Sequence, residues 1–552
     1  MTEPVRLSLR QWMLVLAVAL VALVPGQFQI PAMDRDEARY AQASRQMIET
    51  GDVIDIRFQD VPRHVKPIGT YWLQAASAVL AGGADVGIWA YRLPSLLAAV
   101  AAVLMTAWLG ARIGGASVGL VAGVLLATAL ITGVEARTAK TDALLLVTVL
   151  AAQIALHRLA TRDDITRARF WGAPAAFWIA HGLGVLIKGP IITLVLATTV
   201  AAVSVWRRDR EVLRDLWIGR GLLLTAAIVA PWLIAITAKV GPAFLEEAVG
   251  HALLGKVARG DDAHGAPPGY HTLVFLVAFW PGSILAAGAV ATAWSRRVEP
   301  SIRLLICWIV PTWIVFELVA TKLPHYTYPV YPAIAILTGL FLSRGLDAAA
   351  TGGWRWAQRA TSGLALVVAV ALAAVPVGAT LYLEGIVTPW SGTASLLGVG
   401  VLGLTLRFVR EMTVDRLLAL AVAASVFYAA TFAGVAPRLD HLWIARAVES
   451  RIAGIADCAD PAVAFAGFHE PSTVFTLGTA TRLTDPAGAV SFLAVSFLTE
   501  TGGCRIAAIE DRMADAFTAA VSTRGLTPRV IATVEGLNYS RGDDIRLTLW
   551  RN

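Results

Sequence analysis

Apolar runs close to the roughly 20 residues a helix needs to cross a bilayer recur along the chain, separated by short charged breaks. They fall near 11–30, 92–113, 117–134, 142–160, 173–187, 189–206 and 220–238, then near 272–294, 302–319, 328–345, 360–383, 392–408 and 415–434. This pattern predicts a polytopic α-helical membrane protein with about thirteen transmembrane helices, of which the pair split only by Lys188-Gly189-Pro190 has the thinnest separation. Three larger pieces interrupt it: a first loop at 31–91, a second at 239–271 and a tail from 437 onward. The tail mixes short apolar runs (Ala462–Phe468, Val490–Phe497, Arg505–Ile509), a helical stretch at Asp511–Thr523 and a strand pair at Arg529–Val534 and Ile545–Trp550. It reads as a small α/β domain, 437–552, appended to a membrane domain, 1–436. Within the first loop, Asp36 to Ile48 carries Tyr40, Ala43, Met47 and Ile48 at helical spacing, which predicts an amphipathic helix lying along the membrane interface.

Composition agrees with the pattern. The 552 residues are 57% hydrophobic and 15% charged, against about 25% charged in a soluble domain. A net charge of +7 would suit a nucleic-acid partner, but the basic residues occupy short loops between apolar runs, where orientation signals belong. Starting with a cytoplasmic N-terminus, alternate loops hold Arg158, Arg162, Arg167 and Arg169, then Arg207 to Arg220, Arg296 to Arg303, Arg344 to Arg359, and Arg407 to Arg416. The first apolar run follows Arg6 and Arg10, is long for a signal peptide and lacks an A-x-A cleavage site, so it reads as a retained helix. The first loop, the second loop and the tail then share the outer side. Cys307 lies in an apolar run, whereas Cys458 and Cys504 fall in the tail; an oxidising compartment would allow a disulfide there, and two free thiols are the alternative.

Charge placement also points to chemistry. The six lysines, Lys66, Lys140, Lys188, Lys239, Lys256 and Lys322, all lie on the outer side of this topology, against the usual bias. Compact ammonium groups suit phosphate. Dense charge beside a bilayer is either a solvated surface or the lining of a polar cleft. Four separate connections favour the cleft: the first loop (Asp34 to Tyr40, Arg63 to Pro67), Glu135 to Asp142, Lys188 to Pro190, and Lys322 to Tyr326. Asp142 opens an apolar run, where an unpaired carboxylate would be costly. His64, His264 and His271 stand alone, without metal-ligand spacing; no metal and no cofactor is expected. A transporter or flippase is the remote alternative, but the chain shows no paired repeats.

The motifs resemble the GT-C glycosyltransferases of the protein O-mannosyltransferase superfamily, most closely the bacterial lipid A aminoarabinose transferases. The resemblance rests on Asp36-Glu37-Ala38-Arg39-Tyr40-Ala41, Arg45-Gln46-Met47, Gly51-Asp52, Lys66-Pro67 and Tyr71-Trp72-Leu73. It continues through Arg92-Leu93-Pro94-Ser95, Glu135-Ala136-Arg137, Thr141-Asp142-Ala143-Leu144, Lys188-Gly189-Pro190 and His264 to Tyr270. It implies a GT-C fold in the bacterial inner membrane and inverting transfer of a sugar from a polyprenyl-phosphate donor to a lipid or envelope-glycan acceptor on the periplasmic face. The rival within the class is a protein O-mannosyltransferase acting on Ser or Thr. Asp36, Glu37 and Asp142 are then expected to be catalytic. Lys66, Arg137, Lys188, Lys322 and Tyr326 are expected on the donor phosphate, and Arg39, Tyr40, His264 and Tyr270 on substrate. There is one departure. Where the aminoarabinose transferases place a Glu that helps hold zinc, this chain has Val65, and Pro67 is followed by Ile68 instead of a second proline.

Overall fold

A computed structural model describes residues 6–161, 172–242, 244, 265–344, 352–455, 458, 461–494 and 504–551. Most of the second large loop, including Lys256 and His264, lies outside the described residues, as do Arg162, Arg167 and Arg169.

Each apolar window falls on helix. Among the described residues, seven helices are long and apolar enough to cross a membrane, and up to nine if each of two bent pairs is one span. The remaining windows hold shorter helices at Leu9–Leu23, Gly172–Lys188, Ile191–Arg207 and Tyr331–Arg344. Local signals set the ends: Ser8 and Gln11 form a capping box before Leu9, and Thr388 caps the helix that opens with Pro389. Small residues set the packing. A Cβ on Gly119 would stand 2.4 Å from the Ala107 carbonyl oxygen, so the helices Ile88–Gly114 and Ala116–Thr128 meet backbone to backbone.

The breaks matter more than the spans. One bent pair, Ala116–Thr128 and Leu130–Ala136, turns by 60° where Ala129 is extended, and delivers Glu135 to the connection before Asp142. In the first loop, the predicted amphipathic helix runs Asp36–Thr50 and buries Tyr40, Ala43 and Met47. It ends at Gly51 with φ 71°, a left-handed position that glycine adopts without steric cost. A two-residue hairpin follows, β1 (Arg57–Phe58) and β2 (Val61–Pro62), then the helix Gly69–Ala81.

After Ile444 the chain builds a five-stranded sheet from β3 (Ala462–Ala466), β4 (Arg482–Thr484), β5 (Arg505–Glu510), β6 (Arg529–Asn538) and β7 (Asp543–Arg551), in the order β4-β3-β5-β7-β6. The first three are parallel and the last two antiparallel. The buried faces of β3 and β5 pack against the helices Ile444–Ala453 and Pro486–Ala494. That second helix takes in Val490, the start of one of the short apolar runs. Cys458 and Cys504 form a disulfide.

Candidate active site

Four connections meet at the same end of the helical bundle. Asp36 is the first residue of the first-loop helix, and its side chain is 61% exposed. Partial desolvation would raise its pKa, but Arg63, Lys140, Lys66 and Arg39 together hold it below the ordinary carboxylate value. Arg63 lies 3.9 Å from Asp36, donates to the Tyr71 hydroxyl at 3.2 Å and covers the Tyr40 ring at 5.2 Å. Tyr40 is buried beneath it against Tyr71.

Behind Asp36 sits a buried set of alternating charge. Lys188 Nζ donates to Asp142 Oδ1 at 2.5 Å, and Lys140 Nζ lies 3.4 Å from Glu135 Oε1. His325 spans the two carboxylates, with Nδ1 3.8 Å from Glu135 and Nε2 3.7 Å from Asp142. Burial drives the His325 pKa down to about 3; Asp142 opposes the shift, and Lys188 and Lys140 reinforce it. The imidazole is therefore neutral at physiological pH. Tyr326 closes this side, with Lys188 Nζ 6.0 Å from its ring centre. Tyr270 lies farther out, against His271, which in turn faces Tyr326.

Three expected site residues are committed elsewhere. Glu37 takes Arg92 through both oxygens, at 2.8 and 2.7 Å, and accepts from the backbone N–H groups of Ala139 at 2.8 Å and Met33 at 2.9 Å. Arg92 also donates to the carbonyls of Gln27, Ile30 and Pro31. Glu37 thus knots the first loop to the helix Ile88–Gly114 and to the connection ahead of Asp142 instead of facing a substrate. Arg137 is buried and donates to the carbonyls of Pro25, Gly133 and Ala22, one from each of its three nitrogens, with Phe432 stacked 4.2 Å away; it holds helix ends together. Lys322 donates to the carbonyls of Glu317 and Val319, capping the end of the helix Pro300–Leu318. Conversely, Glu135, Lys140, Arg63 and His325 enter the cleft, although the sequence assigns none of them a particular catalytic role and only Lys140 reads as one of the lysines suited to phosphate. The signal available was their position, each in one of the four charged connections.

The one group among the described residues with metal-ligand geometry is Glu135, Asp142 and His325, whose ligand atoms lie within 4.8 Å of one another. Lys188 and Lys140 already neutralise its two carboxylates. The zinc position implied by the resemblance does not fit: Val65 offers no ligand, and His64 Nε2 is paired with Asp55 at 2.8 Å.

The fold is thus a helical bundle with a charged cleft at one end, to which an α/β unit is bound through the first loop. Two crystal structures of ArnT from Cupriavidus metallidurans, one apo and one bound to undecaprenyl phosphate, share it. They align over 98% and 99% of this chain and 97% and 98% of theirs, with TM-scores of 0.72 and 0.75 at 20% and 19% identity. Residues 65–234 match the family described as dolichyl-phosphate-mannose-protein mannosyltransferase. The chain is similar to the undecaprenyl phosphate-α-4-amino-4-deoxy-L-arabinose arabinosyl transferases of an Enterobacter species and of Erwinia tasmaniensis. These are 29% and 30% identical over 59% and 65% of this chain, which spans 58% and 63% of their length. Family match, relatives and fold thus find the same kind of protein that the motifs resemble.

Proposed function

We propose that this protein is an inverting glycosyltransferase that moves a sugar from a polyprenyl-phosphate donor to a lipid or envelope-glycan acceptor at the periplasmic face of a bacterial inner membrane. The observation that carries the reading is the exposed, ionised carboxylate of Asp36 facing Arg63, Lys66 and Lys140, with Lys188 and Asp142 behind it. A phosphate leaving group gathers negative charge as the bond from the anomeric carbon to the phosphate oxygen breaks, and a cationic cleft stabilises that charge. The electron pair stays on the phosphate, releasing the polyprenyl phosphate, while an acceptor oxygen bonds to the opposite face of the carbon. If the acceptor is a hydroxyl, its proton passes to Asp36. If it is an ionised phosphate, no proton moves, and Asp36 stabilises positive charge on the sugar ring. Asp142, held by Lys188, adds to that field. Lys66, Lys140, Lys188 and Arg63 hold the phosphate, with Tyr326 at the rim, while Arg39, Tyr40, His264 and Tyr270 shape the substrate side.

Outward exposure of the cleft is supported by the arginine-rich loops at the opposite ends of the helices and by the Cys458–Cys504 disulfide in the C-terminal unit, which belongs to an oxidising compartment. The relatives' names supply the lipid carrier and a candidate sugar, 4-amino-4-deoxy-L-arabinose; Ile68 in place of the second proline counsels a donor panel instead of that sugar alone. The test is transfer of radiolabelled sugar from polyprenyl-phosphate donors to a total envelope extract. Label is expected in the lipid or glycan fraction, with Asp36→Asn slower by at least about a hundredfold. Label in protein would instead favour the O-mannosyltransferase reading, and no transfer from any donor by folded protein would sink both.

A further inference from the structure

Four residues other than glycine have positive φ among the described residues, and two of them lie in the first loop: Arg35 at 63° and Gln59 at 53°. Arg35 immediately precedes Asp36 and has ψ −119°, a conformation that a Cβ opposes and glycine tolerates. Gln59 turns the hairpin between β1 and β2, a few residues before Arg63 and Lys66. Such backbone persists only where its surroundings hold it.

In both places the holder is the C-terminal α/β unit. The turn joining β6 to β7 reaches the first: the Asp34 N–H donates to the Tyr539 hydroxyl at 2.6 Å, and the Arg35 guanidinium donates to the Ser540 carbonyl. The segment between the helix Pro471–Leu477 and β4 reaches the second: the Gln59 side-chain amide donates to the carbonyls of Thr479, at 3.1 Å, and Thr481. The Thr479 hydroxyl also ties the first-loop helix itself, accepting from Gln42 at 2.7 Å and donating to Glu49 at 2.7 Å. Arg45 of the same helix donates to the Phe475 carbonyl at 3.0 Å.

We infer that the C-terminal unit is a clamp that positions the reactive carboxylate and its cations, with Tyr539, Ser540 and Thr479 as positioning residues. It holds the strained residue ahead of Asp36 at one point and the turn ahead of Arg63 and Lys66 at the other. Glu37 locks the inner side of this segment, through Arg92 and the N–H groups of Met33 and Ala139; on the outer side Asp34 and Arg35 are tied by the clamp. This inference rests on the proposed glycosyl transfer for its catalytic meaning, but not for its structural content.

The test uses the full-length protein in detergent or nanodiscs, with Tyr539→Phe and Thr479→Val, each of which removes one hydroxyl. Backbone amides are expected to exchange hydrogen faster over residues 34–40 in Tyr539→Phe, which loses the tie to Asp34, and over residues 42–49 in Thr479→Val, which loses the ties to Gln42 and Glu49, with the melting temperature nearly unchanged. In the transfer assay kcat is expected to fall about tenfold, because a small displacement of a reacting group is costly, while the donor KM stays within about twofold. Unchanged exchange in both segments overturns the clamp, as does faster exchange with kcat intact. Should wild type transfer nothing, the proposed reaction fails while the exchange experiment still decides the clamp.

Discussion

Adjacent residues in the first loop do different work because one faces the cleft and the other the protein. Asp36 is ionised and exposed, whereas Glu37 and Arg92 form a buried pair with every oxygen and most guanidinium nitrogens satisfied. Removing one member of such a pair strands the other charge, so Glu37→Ala is expected to cost about 3–5 kcal/mol of stability, seen as a lower melting temperature in detergent. Asp36→Asn should leave that temperature unmoved while losing the rate. Asp34 supplies a pH signature. Burial, with Glu470 adding to it, raises its pKa from 3.8 to about 7 against hydrogen bonds from Ser472 and Tyr539. The folded protein therefore keeps this proton after the unfolded chain has released it. Its contribution to stability is complete below about pH 4 and is lost as pH rises through 7. The difference in melting temperature between wild type and Asp34→Asn is expected to shift across that window and to level off above it; a constant difference would contradict the assignment.

At the scale of elements, what was legible depended on how local the cause was. The amphipathic first-loop helix and the final hairpin follow from spacing within a dozen residues, and Asp142 and Lys188 stand out because they interrupt apolar runs. Arg137 and Lys322 interrupt such runs too, but a helix end carries orphan carbonyls that attract a cation as strongly as a ligand does. Nothing in the local sequence distinguishes the two fates. Glu37 was misread for a similar reason: its partner Arg92 lies 55 residues away. His325 and Glu135 join the cleft only through the bend at Ala129 and the packing of distant connections. The disulfide left open by the sequence is set by strand order, since Cys504 leads directly into β5, beside the start of β3. Replacing Cys458 and Cys504 by serine is expected to cost up to about 4 kcal/mol, from the entropy of a loop of 46 residues. Reducing and non-reducing melts of the wild type, compared with the double variant, check this.

At the scale of the molecule, thirteen helical windows are visible in hydropathy, while among the described residues seven to nine segments meet the length and composition of a span. The difference lies in short and bent helices, whose interruptions carry Glu135, Lys188 and the cleft, so the departures from regular spans are where the chemistry gathers. Least visible from sequence is the dependence of the first loop on the C-terminal unit, because its contacts join residues up to 505 positions apart. That separation has a consequence in time. At about 5–20 residues per second of synthesis, the ribosome makes Asp34 and Arg35 roughly 25–100 s before Tyr539 and Ser540. A newly inserted chain therefore carries every charged group of its cleft while the segment inferred to hold them in place has yet to be made, and on that inference it gains competence only when its final hairpin has docked.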